Sequence, residues 1–405
     1  MAEAVIVAAT RSPIGRAGKG SLVEMRGDDM AEQMVRAALA CVPELPVGRI
    51  DELILGSGSP AGETGYNVAR VVAVLSGLHL VPGTTVHRYC ASSAQAIRMA
   101  FHAIKAGEGH AFVVGGVETV SRYGVGAGDN APKSKNPRFR EARSCASEVA
   151  SSGAPWTDPS QRGELPDIYL QMGLTAENVA TLESVSRHDQ DEFAVLSQER
   201  AGKAQAAGFW ERDITPLTLA DGTVVTKDDG PRPGTTYEAL ARLAPVFREG
   251  GSVTAGNSCP LNDGAAALVI VSDALAAEVG LVPLARIVST GVTALSPEIM
   301  GLGPIAASEQ ALARAGMAIS DMDLVEINEA FAAQVIPCAR KLGIEADRLN
   351  VNGGAIALGH PFGMTGARIA TTLIHSMKDR DVQFGLETMC VAGGQGMALV
   401  LERLS

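Results

Sequence analysis

What this chain lacks narrows its chemistry first. Its six cysteines stand at 41, 90, 145, 259, 338 and 390, with no CxxC pair and no Cys/His cluster, and its seven histidines are equally scattered. That spacing argues against a zinc site, so no metal is expected, and a disulfide framework does not suit a chain of this length. Positive charge is also scarce: 34 Lys and Arg face 45 Asp and Glu, a formal net charge of −11. An acidic surface repels phosphate backbones and anionic lipid heads, so neither nucleic acid nor a membrane surface is an expected partner. No apolar run approaches the roughly 18–20 residues of a membrane span. The opening MAEAVIVAATRSPIG has no charged lead, apolar core and cleavage site, and the closing LERLS is no lipidation signal, so a cytoplasmic protein is expected.

The remainder is an ordinary globular composition, 46% hydrophobic and 20% charged over 405 residues, enough for two or three cores. AVIVAAT reads as a buried first strand. Two stretches then resemble each other. ALACVPELPVGRIDELILGSG runs helix, loop, Asp-containing turn, strand, and ALARAGMAISDMDLVEINEA repeats that order. VHRYCASSAQAIRMAFHAIKAG is answered by VNGGAIALGHPFGMTGARIATTLIHSM, each an extended stretch, a small-residue turn and a helix. Short apolar strands follow both, HAFVVGGVE and VQFGLETMC. A repeat of alternating strands and helices implies two similar α/β domains packed together. Between them, about 122–250, lie Gly/Pro-rich polar segments around a helical pair that Ser186 is placed to cap.

Cys90 sits where an extended segment turns into a helix, with Ala96, Ile97, Ala100, Phe101 and Ile104 at helical spacing. The positive end of that helix is expected to lower the thiol pKa by one or more units from about 8.5, making a nucleophile. A buried, inert thiol is the plain alternative. If the duplicated domains share a pseudo-twofold, Cys90 and His360 open equivalent helices that point at one cleft. His360 ends the Gly-dense loop Asn352–Pro361. Asn328, after the strand-like Leu324–Ile327, suits either a hydrogen bond to a developing oxyanion or a helix cap. Cys390 precedes Ala392-Gly393-Gly394, a backbone suited to close approach or to a plain turn. Gly56-Ser57-Gly58 misses the GxGxxG spacing and marks no dinucleotide loop.

HRYCASS, TAENVA, TAGNSCPLNDGAA, INEAFA, VNGGAIALGHP and CVAGGQGMA, in this order, make the whole chain resemble the thiolases, acyltransferases acting on CoA thioesters. The resemblance implies a thiolase fold: an α/β architecture of two duplicated αβ domains in a five-layered α-β-α-β-α core, plus an inserted loop domain. It implies domains at 1–121 (completed by about 251–283), 122–250 (covering the CoA site) and 284–405. It assigns Cys90 as the acylated nucleophile, His360 as its proton acceptor and Cys390 as the acid/base of a reversible Claisen condensation. His360 with a water held by Asn328 forms one oxyanion hole, and the N–H groups of Cys90 and Ala392 the other. Arg232 is placed at the CoA nucleotide, and Met172, Cys259, Met300 and Phe331 along the pantetheine and acyl pocket. CoA, acetyl-CoA and acyl-CoA are expected as substrates with no bound cofactor, in a homodimer or homotetramer.

Several positions depart from the family pattern. Ala392 stands for a glycine, Ser93 for a glycine, His87 for an asparagine, and Cys259-Pro260 for Ser-Gly. Gln171 stands where short-chain relatives have histidine. The basic run Lys133, Lys135, Arg138, Arg140, Arg143 reads as a solvated loop rather than a phosphate site. Rival readings are a β-ketoacyl synthase-like enzyme, disfavoured because such enzymes resemble one another in using two histidines, and a non-catalytic CoA-binding scaffold.

Overall fold

The structure, a computed structural model, describes residues 2–125 and 134–405. Its main strands are β1 (Ala4–Arg11), β2 (Glu52–Gly56), β3 (Gly83–Val86), β4 (Ala111–Thr119), β5 (Asn262–Ser272), β6 (Ala285–Ala294), β7 (Leu324–Ile327), β8 (Phe384–Val391) and β9 (Gln395–Arg403). Its main helices are α1 (Gly27–Ala40), α2 (Val68–Leu75), α3 (Ser92–Ala106), α4 (Arg140–Ser152), α5 (Met172–Leu182), α6 (Arg187–Ala206), α7 (Gly303–Ala315), α8 (Ala332–Leu342) and α9 (Thr365–Arg380).

The duplication is visible in the pairing. One half runs β3-β2-β4-β5-β1 and the other β7-β8-β9-β6. Beyond β7, where β3 stands in the first half, Val325 makes a parallel bridge to Leu349. Directions match as well. β2 is parallel to β3 and β4 while β4, β5 and β1 alternate, and β7 is parallel to β8 while β8, β9 and β6 alternate. β1 and β6 join the halves edge to edge through Val5↔Arg286 and Ile6↔Ala285.

Alternation along the strands sorts the core into layers. Val5, Leu53, Val113 and Val269 face α1 and α2 in one apolar cluster. Their neighbours Ile6, Ile54, Val114 and Ile270 join Leu399 and Leu401 from the second half around α3 and α9. Ala398 and Val400 point the other way, onto α7 and α8. The order is helix, sheet, helix, sheet, helix, as the resemblance implied.

In the middle layer the two equivalent helices touch near their first turns. A Cβ on Gly366 would lie 2.4 Å from the Ala94 nitrogen, so only glycine allows that approach. Ser93, the departure from glycine noted above, has a use here: its Oγ accepts the Ala367 N–H at 2.9 Å. Cys90 and the His360 loop are thereby carried to the same place. In the intervening region α5 and α6 form the expected helical pair, and Ser186 Oγ caps α6 by accepting the Asp189 N–H at 3.0 Å.

Candidate active site

Cys90 lies in a single 3₁₀ turn, Tyr89–Ala91, that leads into α3. Tyr89 adopts φ 44°, a left-handed conformation uncommon for a non-glycine residue, which swings the chain sharply before the thiol. Ser92 Oγ pins the turn by accepting the Arg88 N–H at 2.9 Å and donating to the Tyr89 carbonyl at 2.7 Å. Cys90, Tyr89, Met172, Tyr169, Phe362, Ala392 and Lys135 are among the residues lining a cleft of about 320 Å3.

The electrostatics correct one expectation. Two backbone N–H groups, of Ala392 and of Cys90 itself, act to lower the thiol, but burial outweighs them and pushes Cys90 up to about 11. Apolar surroundings disfavour the thiolate more than one helix end favours it. The Ala392 donor is intact. Ala392 is not among the residues with positive φ; the left-handed conformations fall on Gly393 and Gly394, at φ 78° and 77°. An alanine is therefore tolerated in the place of the family's glycine.

His360 is fully enclosed and well supported. Its backbone N–H donates to Asn262 Oδ1 at 3.0 Å, and its Nδ1 lies 2.7 Å from Thr365 Oγ1, which itself donates to the Pro361 carbonyl at 2.8 Å. Asn328 Nδ2 lies 3.2 Å from the other ring nitrogen, Nε2. The network assigns the proton to Nδ1 and leaves Nε2 as an acceptor. Burial, aided by the Arg368 charge, lowers His360 to about 3, so the ring is neutral. Asn328 caps no helix: the N-cap position of α8 falls on Phe331, whose side chain makes no cap hydrogen bond. Asn328 Oδ1 is buried without a hydrogen-bond partner among the described residues.

Cys390 is fully buried at the end of β8, beside the β8–β9 hairpin turn that carries Ala392. Burial pushes its thiol well up, and Cys90 is close enough to add to the effect. Met300 and Phe331 form the apolar wall around Cys390, with Met172 and Cys259 packed against it. Cys259 is thus a thiol in an apolar cluster, raised by burial. Its neighbours Ser258 and Pro260 line a separate channel with Arg16, Gly256 and Arg232. That channel opens to a surface groove that shares Arg232 and adds Lys203.

Sequence reading missed Arg16, Thr365, Phe362 and Glu118. Only Glu118 carried a signal, a lone carboxylate at the end of a buried strand. Lys135 is exposed, as a solvated loop requires, and also lines the cleft, its ammonium 5.7 Å from the Tyr169 ring centroid; Lys133 lies outside the described residues. Among the described residues no group of three His, Cys, Asp or Glu is gathered to hold a metal ion, and no helix is long and apolar enough to cross a membrane.

The family model for the thiolase N-terminal domain matches residues 4–274, and that for the thiolase C-terminal domain matches 281–403. The chain is 44% identical to the 3-oxoadipyl-CoA/3-oxo-5,6-dehydrosuberyl-CoA thiolase of Escherichia coli strain K12 over 100% of both chains. It is 44% identical to the beta-ketoadipyl-CoA thiolase of Pseudomonas aeruginosa over 99% of each, and 40% to a 3-ketoacyl-CoA thiolase of Bacillus subtilis over 99% of this chain and 100% of that one. The crystal structure of the Bacillus anthracis acetyl-CoA acetyltransferase superposes with a TM-score of 0.86 at 38% identity, covering 100% of this chain and 99% of that one. A duplicated fold matched end to end by these two domains means that the chain belongs to the thiolase family and is an acyltransferase acting on CoA thioesters.

Proposed function

We propose that the chain cleaves 3-ketoacyl-CoA by thiolysis through an acyl-enzyme on Cys90, with the reverse condensation open to it. The observation that carries this reading is the Cys90 cleft, with the Ala392 N–H directed at the sulfur and Cys390 close behind. Cys90 and His360 rest as neutral thiol and neutral imidazole, so attack on the C3 carbonyl moves the thiol proton to His360 as charge develops on the substrate oxygen. The C2–C3 bond then breaks and Cys390 protonates the departing acetyl-CoA enolate, leaving an acyl thioester on Cys90 that CoA cleaves. The Ala392 and Cys90 N–H groups stabilise one oxyanion. The unpartnered Asn328 Oδ1 is placed to hold a water beside His360 for the other. Arg16, Arg232 and Lys203 supply cations along the channel and groove for the CoA phosphates, and Met172 supplies apolar cleft wall.

For the acyl chain, we propose a substrate ending in a second carboxylate. Relatives are named for 3-oxoadipyl-CoA, a dicarboxylic acyl group, as well as for 3-ketoacyl-CoA. Lys135 lines the cleft that holds Cys90, where its ammonium suits a distal carboxylate. This reading sets the degradation of short diacids ahead of fatty-acid β-oxidation. The test is thiolysis of a 3-ketoacyl-CoA series that includes 3-oxoadipyl-CoA and its uncharged six-carbon analogue. A kcat/KM higher for the diacid, with the advantage reduced about tenfold in Lys135→Ala, is expected. Equal rates for the two would remove the diacid reading and leave the general thiolase reading intact.

The division 1–121 with 251–283, 122–250 and 284–405 forms part of the proposal, supported by β5 lying between β4 and β1. So does a homodimer. The edge strand β3 and the nearby exposed Tyr66, Val74, Leu75 and Leu80 suit a second copy. Six free cysteines suit a reducing cytoplasm.

A further inference from the structure

A carboxylate buried away from water is costly unless its oxygens are satisfied. Glu118, near the end of β4, is 1% exposed and fully engaged. Its Oε1 accepts the Tyr123 hydroxyl at 2.9 Å. Its Oε2 accepts two backbone N–H groups, from Gly58 at 2.6 Å and Gly363 at 2.8 Å. Those two donors come from different halves of the duplicated fold.

On the Gly58 side, the adjoining Ser57 holds the nucleophile segment. Its N–H donates to the Val86 carbonyl at 3.1 Å, and its own carbonyl accepts from Ser92 Oγ at 3.2 Å. Cys90 lies between those contacts. On the Gly363 side, the preceding residues are His360, Pro361 and Phe362. The Phe362 ring stands edge-on to the His360 ring at 5.0 Å and lines the Cys90 cleft. The site is built around the carboxylate. A Cβ on Gly58 would lie 2.5 Å from Oε2, and one on Gly363 would lie 2.3 Å from the Val117 carbonyl.

We propose that Glu118 is a positioning residue for the reaction: one oxygen, shared between the Gly58 and Gly363 N–H groups, sets Cys90 and His360 in register across the two halves. It touches no reacting atom and acts through the two loops. The inference rests on the assignment of Cys90 and His360 as the reacting pair. Burial raises Glu118 to about 7, so both protonation states are populated near neutrality. Oε2 can accept the two backbone protons in either state, with the carboxyl proton carried on Oε1. Placement of the oxygen, rather than charge, is therefore the requirement.

Glu118→Gln keeps an acceptor oxygen at full reach, whereas Glu118→Asp keeps the charge but withdraws it by one methylene. Each variant is compared with wild type in steady-state thiolysis of the best 3-ketoacyl-CoA, and in the rate at which acetyl-CoA acetylates Cys90, followed by intact mass and peptide mapping. The Gln variant is expected to keep kcat within about threefold. The Asp variant is expected to lose about tenfold or more in kcat and in acetylation rate, with KM for CoA little changed. Equal or better activity of Asp over Gln would overturn the inference, as would an Asp defect confined to KM. If wild type is acetylated at Cys90 and the Asp variant at the same rate, the positioning role fails alone. If wild type is never acetylated at Cys90, the reading beneath it fails and takes the inference with it. Should the Asp variant not fold, a tenfold loss of kcat in a Gln variant of native melting temperature overturns the inference unaided.

Discussion

At the residue scale, the thiol that the sequence marks as activated is held back. Two aimed N–H groups favour thiolate at Cys90, yet burial raises it to about 11. Near pH 7 only about one molecule in ten thousand carries the thiolate. His360, lowered to about 3, is a neutral acceptor that cannot pair with a standing thiolate. Activation therefore waits for the substrate carbonyl, whose developing charge the N–H groups stabilise. A sharp prediction follows for alkylation of Cys90 by iodoacetamide in the absence of substrate. The rate should climb with pH through 9 without a plateau near neutrality, because the thiolate fraction rises up to the thiol's own pKa. A plateau below pH 8 would place the resting residue as thiolate and imidazolium instead. The two cysteines separate by function as well. Cys90→Ser should abolish the trapped acyl-enzyme, whereas Cys390→Ala should still acylate and fail to condense. Intact mass after acetyl-CoA, paired with a condensation assay, reads both; condensation undiminished in Cys390→Ala would move the acid/base role elsewhere.

At the element scale, the β8–β9 hairpin turn shows how much of the site a strand connection carries. Ala392 presents its N–H to Cys90 from an unstrained conformation because Gly393 and Gly394 take the left-handed ones. Their neighbourhoods differ. A Cβ on Gly393 meets nothing nearer than 3.9 Å, whereas one on Gly394 would stand 2.2 Å from the Leu295 carbonyl. Gly393→Ala should then cost about 1–2 kcal/mol from backbone strain alone. Gly394→Ala should cost more, since backbone must move. Urea denaturation of the two variants checks the ranking, and equal costs would mean that the turn relaxes freely. The strands and helices themselves were legible, because period-2 and period-3.6 apolar patterns are written residue by residue, as in α3 and β1. The duplication was legible for the same reason. Cys90, His360, Asn328 and Cys390 were legible through short motifs that sit on those elements. Thr365 and Arg16 were not, since no local pattern records a contact across the fold, and Glu118 showed only as a lone carboxylate on a buried strand, its partners lying on other loops. Nor was the thiol's resistance to ionisation, which depends on what the folded chain packs around it.

At the scale of the whole molecule, the middle layer holds charge that an apolar core does not ask for. Arg368 on α9 is fully buried, as are Glu326 on β7 and Glu387 on β8, which are direct neighbours in the parallel register. Arg11 lies in the same layer, 2.6 Å from Asp213 and 2.5 Å from Asp228. Arg11 and Arg368 bring two positive charges. Asp213, held down to about 2 by Arg11 and His375, already opposes one of them. Ionising both Glu326 and Glu387 beside Asp213 and Asp228 would leave the layer with excess negative charge in a medium that solvates it poorly. Burial accordingly pushes both glutamates up, Glu326 to about 8. Arg368 and Arg200 lower Glu326, Glu329 and Asp213 raise it, and Glu387 stands beside it in the register. The consequence for stability has a definite sign. A carboxyl whose folded value lies above its unfolded value near 4.5 contributes most below that value, and the contribution is lost as pH rises through about 8. Glu326→Gln keeps the neutral form at every pH. Relative to wild type the variant should therefore gain stability between pH 5 and pH 8.5, by on the order of 4 kcal/mol. Urea midpoints for both proteins at those two pH values read the effect of Glu326 together with that of its coupled neighbour Glu387. A parallel shift in wild type and variant would mean that Glu326 is ionised in the folded layer, with Arg368 strong enough to hold it so.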